Sequence, residues 1–172
     1  MAEQINDHTV IGLSNATLEA LPDGVSTPSY DRSKLTPGIV HIGLGNFHRA
    51  HQAWYLHRLM QRGLAHNWAI IGAGVRHCDA IMRQRLLKQD CLTTLVELDP
   101  DSASVEVIGS MIDFVEVHPE NGPLILAMSN PQIRIVSLTV TEGGYYQSEA
   151  GDVDVTHPDI VHDIANPDRP IT

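Results

Sequence analysis

Two histidines and an arginine crowd the stretch Gly43-Leu44-Gly45-Asn46-Phe47-His48-Arg49-Ala50-His51, directly after a pair of glycines. Two chemistries suit such a cluster. Glycines between a strand and a helix allow positive φ angles and let the backbone come close to a diphosphate, which the helix N-terminal amides then hold. Gly43 and Gly45 have that spacing, but the third glycine of the usual dinucleotide fingerprint is replaced by a bulkier residue. Spacing alone leaves a cofactor cradle and a plain strand-to-helix turn both open. The second chemistry is metal binding, since His48 and His51 stand three residues apart on a helix and could face one ion. Zinc sites want a further ligand in convincing spacing, and His41 lies in no such pattern, so satisfied helix-N-terminal histidines are the simpler reading. No metal is expected.

A dinucleotide site also needs an acid after the next strand, to accept hydrogen bonds from the adenosine ribose. Asp79 follows "AGVRHCD", later than the usual spacing of about 20 residues. It equally suits the N-cap of the helix that follows, and the two roles are compatible. Arg76 nearby could meet a 2′-phosphate, so the acid favours NAD while the arginine leaves NADP open. Glu142 stands in "TEGGY" after an apolar run, where open α/β sheets place functional side chains beside their carboxyl edge. A solvated loop acid is the plainer reading of it. Cys78 and Cys91 have no CxxC spacing and no arrangement that suggests a nucleophile.

These residues need elements to position them. "GIVHIGLG" reads as a short β-branched strand ending at Gly43, and residues 47–62 as a helix that Gly63 stops. "NWAIIGAGV" is a second strand, apolar on both faces as in a buried parallel sheet. Residues 79–88 suit a helix, while "CLTTLVEL" and "SVEVIGSM" are strands joined by the turn composition "DPDSA". "PENGPLILAMSN" offers another helix, "IRIVSLTV" another buried strand, and "HPDIVHDIA" a last helix. A short helix around "SNATLEAL", capped by Ser14 or Asn15, sits in a lead-in spanning 1–37. The order β-α-β-α-ββ-α-β predicts an α/β fold: a Rossmann-like, mostly parallel open sheet with helices on both faces, over 38–172.

Bulk properties bound the partners. A chain of 172 residues with 42% hydrophobic and 19% charged residues can bury one good core. A net charge of −10 argues against a general nucleic-acid or anionic-membrane binder, which needs basic patches. With neither a signal peptide nor an apolar run of about 18 residues, a cytoplasmic, reduced setting is expected.

Taken together, "HIGLGNFHRAHQA", "QDCLTTLVEL", "VIGSMIDF" and "IRIVSLTVTEGGYY" resemble the long-chain mannitol dehydrogenase family. That family comprises NAD(P)-dependent polyol dehydrogenases and hexuronate (fructuronate, tagaturonate) reductases that use no metal. The resemblance runs from about Gly38 to the end of the chain. It implies that Gly43, Gly45, Asn46, Phe47 and His48 contact the cofactor and that Arg49 neutralises its pyrophosphate. It also implies that Asp79 is the ribose acid and that Glu142 lies near the nicotinamide, helping to conduct or gate protons. Asn46 stands where relatives often carry glycine, which matters little if the backbone amide makes the contact. The family's catalytic lysine, with a sugar-binding asparagine and histidine, comes from a mostly helical second domain. Here Lys34 and Lys88 are the sole lysines, and neither sits in a matching motif. The implied function is the NAD-binding part of a metal-independent polyol or hexuronate oxidoreductase, transferring hydride between a sugar alcohol and NAD to give a ketose. The isolated chain is expected to lack catalysis. The alternative is a stand-alone nucleotide-sensing or interaction module that has lost it.

Overall fold

The computed structural model describes residues 10–140 and 145–171. The chain divides into two compact units, Met1–Thr139 and Val140–Thr172. In chain order the first holds β1 (Val25–Ser26), β2 (Pro37–Ile42), α1 (Asn46–Ala50), α2 (Gln52–Gln61), β3 (Ala69–Ala73) and α3 (Asp79–Lys88). It continues with β4 (Thr93–Asp99), β5 (Ser102–Ile108), β6 (Met111–Phe114), α4 (Gly122–Met128) and β7 (Ile135–Leu138). The second unit holds α5 (Pro158–Ala165), whose first turn is capped by the His157 ring accepting from the Asp159 amide at 3.2 Å.

Four strands make a wholly parallel sheet in the order β6-β3-β2-β7. The apolar, β-branched runs of β2 and β3 suit strands buried on both faces. Neighbouring residues accordingly enter different cores. Ile39 and Ile70 pack with Leu56, Met60 and Leu86 of α2 and α3, while Val40 and Ile71 pack with Leu124 of α4. Helices therefore cover both faces, as the sequence predicts. The chain moves outward one way through β3 and β6, then returns past β2 to place β7 on the other side. In open α/β sheets such a reversal marks the ligand crevice, here at the carboxyl ends of β2 and β7.

Four expectations need correction. The helix foreseen over 47–62 breaks at His51, whose φ of −120° and ψ of −83° divide α1 from α2. There the His51 Nδ1–H donates to the Phe47 carbonyl at 2.8 Å, a side-chain competitor for helical bonding. Gly63, at φ +76°, ends α2 as expected. "SVEVIGSM" is not one strand. It divides at Gly109 and Ser110, so that β5 pairs antiparallel with β4 in a separate sheet while β6 joins the main one. The Arg32 guanidinium makes this division, donating to the carbonyls of Gly109 (2.9 Å), Met111 (2.7 Å) and Asp90 (2.7 Å) and to the Asn15 side chain. β7, expected to be buried, pairs only with β2 among the described residues and leaves Leu138 61% exposed. The lead-in helix proves to be a 3-10 turn over Asn15–Ala20 with Ser14 as its cap.

The hairpin is fastened to α2 by a polar knot around Glu106. Trp54 Nε1–H donates to Glu106 Oε2 at 2.7 Å, Arg58 Nη1 to Oε1 at 3.0 Å, and His57 Nε2 lies 3.3 Å from Oε1. His57 Nδ1 accepts from the Tyr30 hydroxyl at 2.7 Å and from the Gly109 amide at 3.3 Å. Burial pushes His57 below its ordinary value. Burial acts to raise Glu106, but the bonds from Trp54 and Arg58 outweigh it and hold the carboxyl low. Removing the acid strands an indole N–H and the groups facing it. Glu106→Ala is therefore expected to cost about 2–4 kcal/mol, read as a lowered urea midpoint; an unchanged midpoint would show that the knot carries no stability.

Candidate functional site

The candidate site begins where β2 ends. Gly43 adopts φ +92°, a left-handed conformation open to glycine. Its amide donates to the Ala73 carbonyl at 2.9 Å, and a Cβ here would sit 3.4 Å from the Thr139 carbonyl. Gly45 differs. It caps α1 at φ −68° and ψ 176°, so the turn needs positive φ at one glycine and not at both. No atom lies within 4 Å of where its Cβ would be. Its service is open space, through which a bulky anion can approach the first-turn amides of α1, which have no intrahelical acceptors. Between the glycines Leu44 is buried, and it fits against Gly72 of β3, where a Cβ would lie 2.2 Å from Leu44 Cδ1.

The structure separates the side chains of the motif. Phe47 is 68% exposed and stacks on His51, with ring centroids 4.4 Å apart. Asn46 is exposed and its Oδ1 accepts from Arg49. Arg49 is half-buried beside a cavity of about 260 Å³ that Asn46, Thr93, Thr94 and Leu95 also line, and its Nε is buried without a partner. His48, by contrast, is only 2% exposed. Its Nδ1–H donates to Gln52 Oε1 at 3.0 Å, its Nε2 has no partner, and its ring stacks on His41 at 3.7 Å and 11°. Burial, with His41 and Arg49 adding to it, pushes His48 down to about 3, so the ring is neutral at ordinary pH. His48 and His51 are thus engaged by different neighbours, and among the described residues no group of three His, Cys, Asp or Glu gathers to hold a metal.

Asp79 lies at the carboxyl end of β3, as the first residue of α3. Its Oδ2 accepts from the Arg76 amide at 2.9 Å and so closes the turn before the helix, although Cys78 holds the N-cap position. The carboxylate packs on Gly74, where a Cβ would come within 2.7 Å of Oδ2. Arg76 is largely exposed, its Nε 3.9 Å from the same oxygen. Glu142 lies outside the described residues. A larger cavity, of about 690 Å³, lies around Tyr30, Arg32 and Cys91, but the Arg32 guanidinium facing it is already committed to backbone carbonyls. Burial raises the Cys91 thiol to about 11, which leaves no thiolate there.

Sequence reasoning missed Ser137 and Thr139 and weighed His41 only as a metal ligand. His41 Nδ1 bonds Ser137 Oγ at 2.8 Å and Nε2 bonds Thr139 Oγ1 at 3.0 Å, joining β2 to β7 beside the turn. The signal was a lone polar residue inside the apolar run Ile39-Val40-His41-Ile42.

A strand order that reverses at β2 and β7, a left-handed glycine at the reversal and open backbone beyond it define a Rossmann-like α/β domain. The chain belongs to the mannitol dehydrogenase Rossmann domain family, whose model matches residues 37–169. It is 60% identical over 148 residues to a mannitol 2-dehydrogenase of Cereibacter sphaeroides, covering 86% of this chain and 31% of that one. A polyol:NADP oxidoreductase of Gluconobacter oxydans is 37% identical over 164 residues, covering 93% of this chain and 33% of that one. Among solved structures, the Pseudomonas fluorescens mannitol 2-dehydrogenase in ternary complex with NAD and D-mannitol superposes with a TM-score of 0.77 at 43% identity. That match covers 93% of this chain and 33% of the other. The chain thus spans about a third of the length of these relatives. No described helix is long and apolar enough to cross a membrane.

The buried His48 makes stability depend on pH. Between the ordinary imidazole value of 6.5 and the depressed value near 3, the unfolded chain takes up a proton that the folded chain refuses. Its contribution is complete above 6.5 and is lost as pH falls. Between about pH 7.5 and about pH 5, the wild type should lose about 2 kcal/mol more than His48→Gln, measured by urea unfolding. Parallel losses in the two proteins would mean that the ring is protonated in the fold.

Proposed function

We propose that the chain binds NAD across the β2–β7 crevice and serves as the nucleotide half of a metal-independent polyol or hexuronate oxidoreductase. The observation that carries this reading is the glycine turn: Gly43 at φ +92° turns the chain off β2, and the space where a Gly45 side chain would be is empty. Those features fit a diphosphate against the amides of Asn46, Phe47 and His48. Arg49, half-buried and with an unpartnered Nε, supplies the countercharge. Asp79 at the end of the neighbouring strand suits the ribose hydroxyls, and Phe47 offers an exposed aromatic face.

When bound, the nicotinamide supplies the hydride acceptor for a carbinol carbon, while a base takes the hydroxyl proton. This chain's residues bind and orient. The family resemblance assigns Glu142 a place near the reacting atoms and assigns the base to a lysine outside this sequence, so the 172-residue chain by itself is expected to be inactive. The Cereibacter and Pseudomonas relatives support a mannitol-like substrate, and the Gluconobacter relative keeps NADP in view. The second reading, a nucleotide-sensing or interaction module without catalysis, shares the same cofactor crevice.

Two measurements test the reading. Titrating NADH by fluorescence should give saturable binding, and no interaction at millimolar NADH would sink the cofactor assignment. Asp79→Ala should weaken NADH binding by about 10- to 100-fold and narrow the preference over NADPH. Gly74→Ala, which pushes the same carboxylate aside, should move selectivity in the same direction with Asp79 still present. An unchanged NADH-to-NADPH ratio in both variants would remove Asp79 from the ribose site.

A further inference from the structure

We infer that His41 is a positioning residue for the cofactor turn: by joining β7 to β2 and seating the first turn of α1, it sets the width of the crevice. The inference rests on the dinucleotide reading of the same site. A histidine inside a strand buried on both faces is costly unless its polar atoms are satisfied, and valine or isoleucine would fill the place more cheaply. Here both ring nitrogens are used, and on one neighbour: Ser137 Oγ at 2.8 Å and Thr139 Oγ1 at 3.0 Å, both on the segment of β7. The register pairs His41 with Ser137, so that bond runs straight across the strands, while the bond to Thr139, one residue past β7, runs diagonally.

The ring face has a separate duty. It lies 3.7 Å from the His48 ring and 11° from parallel to it, and so supports α1 from beneath. One side chain therefore touches all three walls of the crevice: β2, β7 and the turn between Gly43 and His48. Backbone geometry converges on the same place. The Thr139 amide donates to the Ile42 carbonyl at 3.1 Å, and the Thr139 carbonyl is the nearest atom to the missing Gly43 side chain. A shift of Thr139 would thus press on the one residue that must hold φ +92°. His41 is buried and faces His48, Ser137 and Thr139. It acts through His48 and Thr139.

The test compares His41→Phe, Thr139→Val and His57→Asn in the 172-residue chain. His41→Phe keeps a flat ring for the stack and drops both bonds to β7; Thr139→Val removes one bond with little change of shape. His57→Asn damages the Glu106 knot, away from the crevice, and controls for general loss of stability. Expected are NADH binding weakened about tenfold or more in the first two, and faster amide exchange in the segment 43–51. His57→Asn should lower the unfolding midpoint and leave NADH affinity within about twofold. Affinity that simply tracks the unfolding midpoint across all three, or unaltered exchange over 43–51, would overturn the assignment. Should His41→Phe fail to fold, Thr139→Val carries the same two readouts. Should the wild type bind no NADH, the cofactor reading falls alone, and the exchange pattern still decides what His41 does.

Discussion

The site depends on a single constraint: the chain leaving β2 has nowhere to go but sharply upward. β2 has a strand on either side and a hydrophobic core on either face, and Ile42 itself pairs with Ala73 of β3 and Leu138 of β7 and packs in the core with Leu124 of α4. The next residue must turn without disturbing any of them. Gly43 does so at φ +92°, with its amide on Ala73 and the Thr139 carbonyl 3.4 Å from where a Cβ would be. A residue with a Cβ would meet conformational strain there. The open backbone that follows is a consequence of that turn.

Glycines elsewhere make a different contribution, which is to let side chains rather than the main chain come close. Gly72 leaves the notch that receives Leu44, and Gly74 the notch that receives Asp79. The first notch lies in β3 and the second at the residue directly after it, one either side of Ala73. Thus the first turn's apolar anchor and the second strand's acid are both indexed to one rigid element. The distance between the glycine turn and Asp79 is then set by side-chain packing rather than by the length of the intervening loop.

Much of this was legible in the sequence because the deciding forces were local. Helix α3 announces itself through Asp79 at its start and Arg85 and Lys88 in its last turn, and its bounds match the expectation over 79–88. The β4–β5 hairpin follows from turn residues at Asp99 to Ser102. What escaped was decided at a distance or by a single atom. Arg32 splits β5 from β6 across 77 residues of sequence, and no periodicity reports it. The helix breaks at His51, whose ring N–H bonds the Phe47 carbonyl, although its apolar spacing runs on regardless. His48 reads as a polar helix-end residue, yet it is buried, because its partner His41 comes from a strand whose polarity looked incidental.

The walls of the crevice are unequal, and this gives the polar cluster its purpose. β2 is held on all sides, but β7 pairs with β2 alone among the described residues and turns half-exposed apolar side chains outward at Ile135 and Val136. An edge strand of four residues has few backbone bonds to resist sliding or fraying. Apolar packing would hold it in place without fixing its register, since Val and Ile contacts tolerate small displacements. Two directional bonds from one imidazole do not, because both nitrogens lose their partners together when the strand slips. A buried histidine is therefore a better clamp here than a larger hydrophobe. Burial holds the His41 ring below its ordinary value, as it does that of His48 stacked on it.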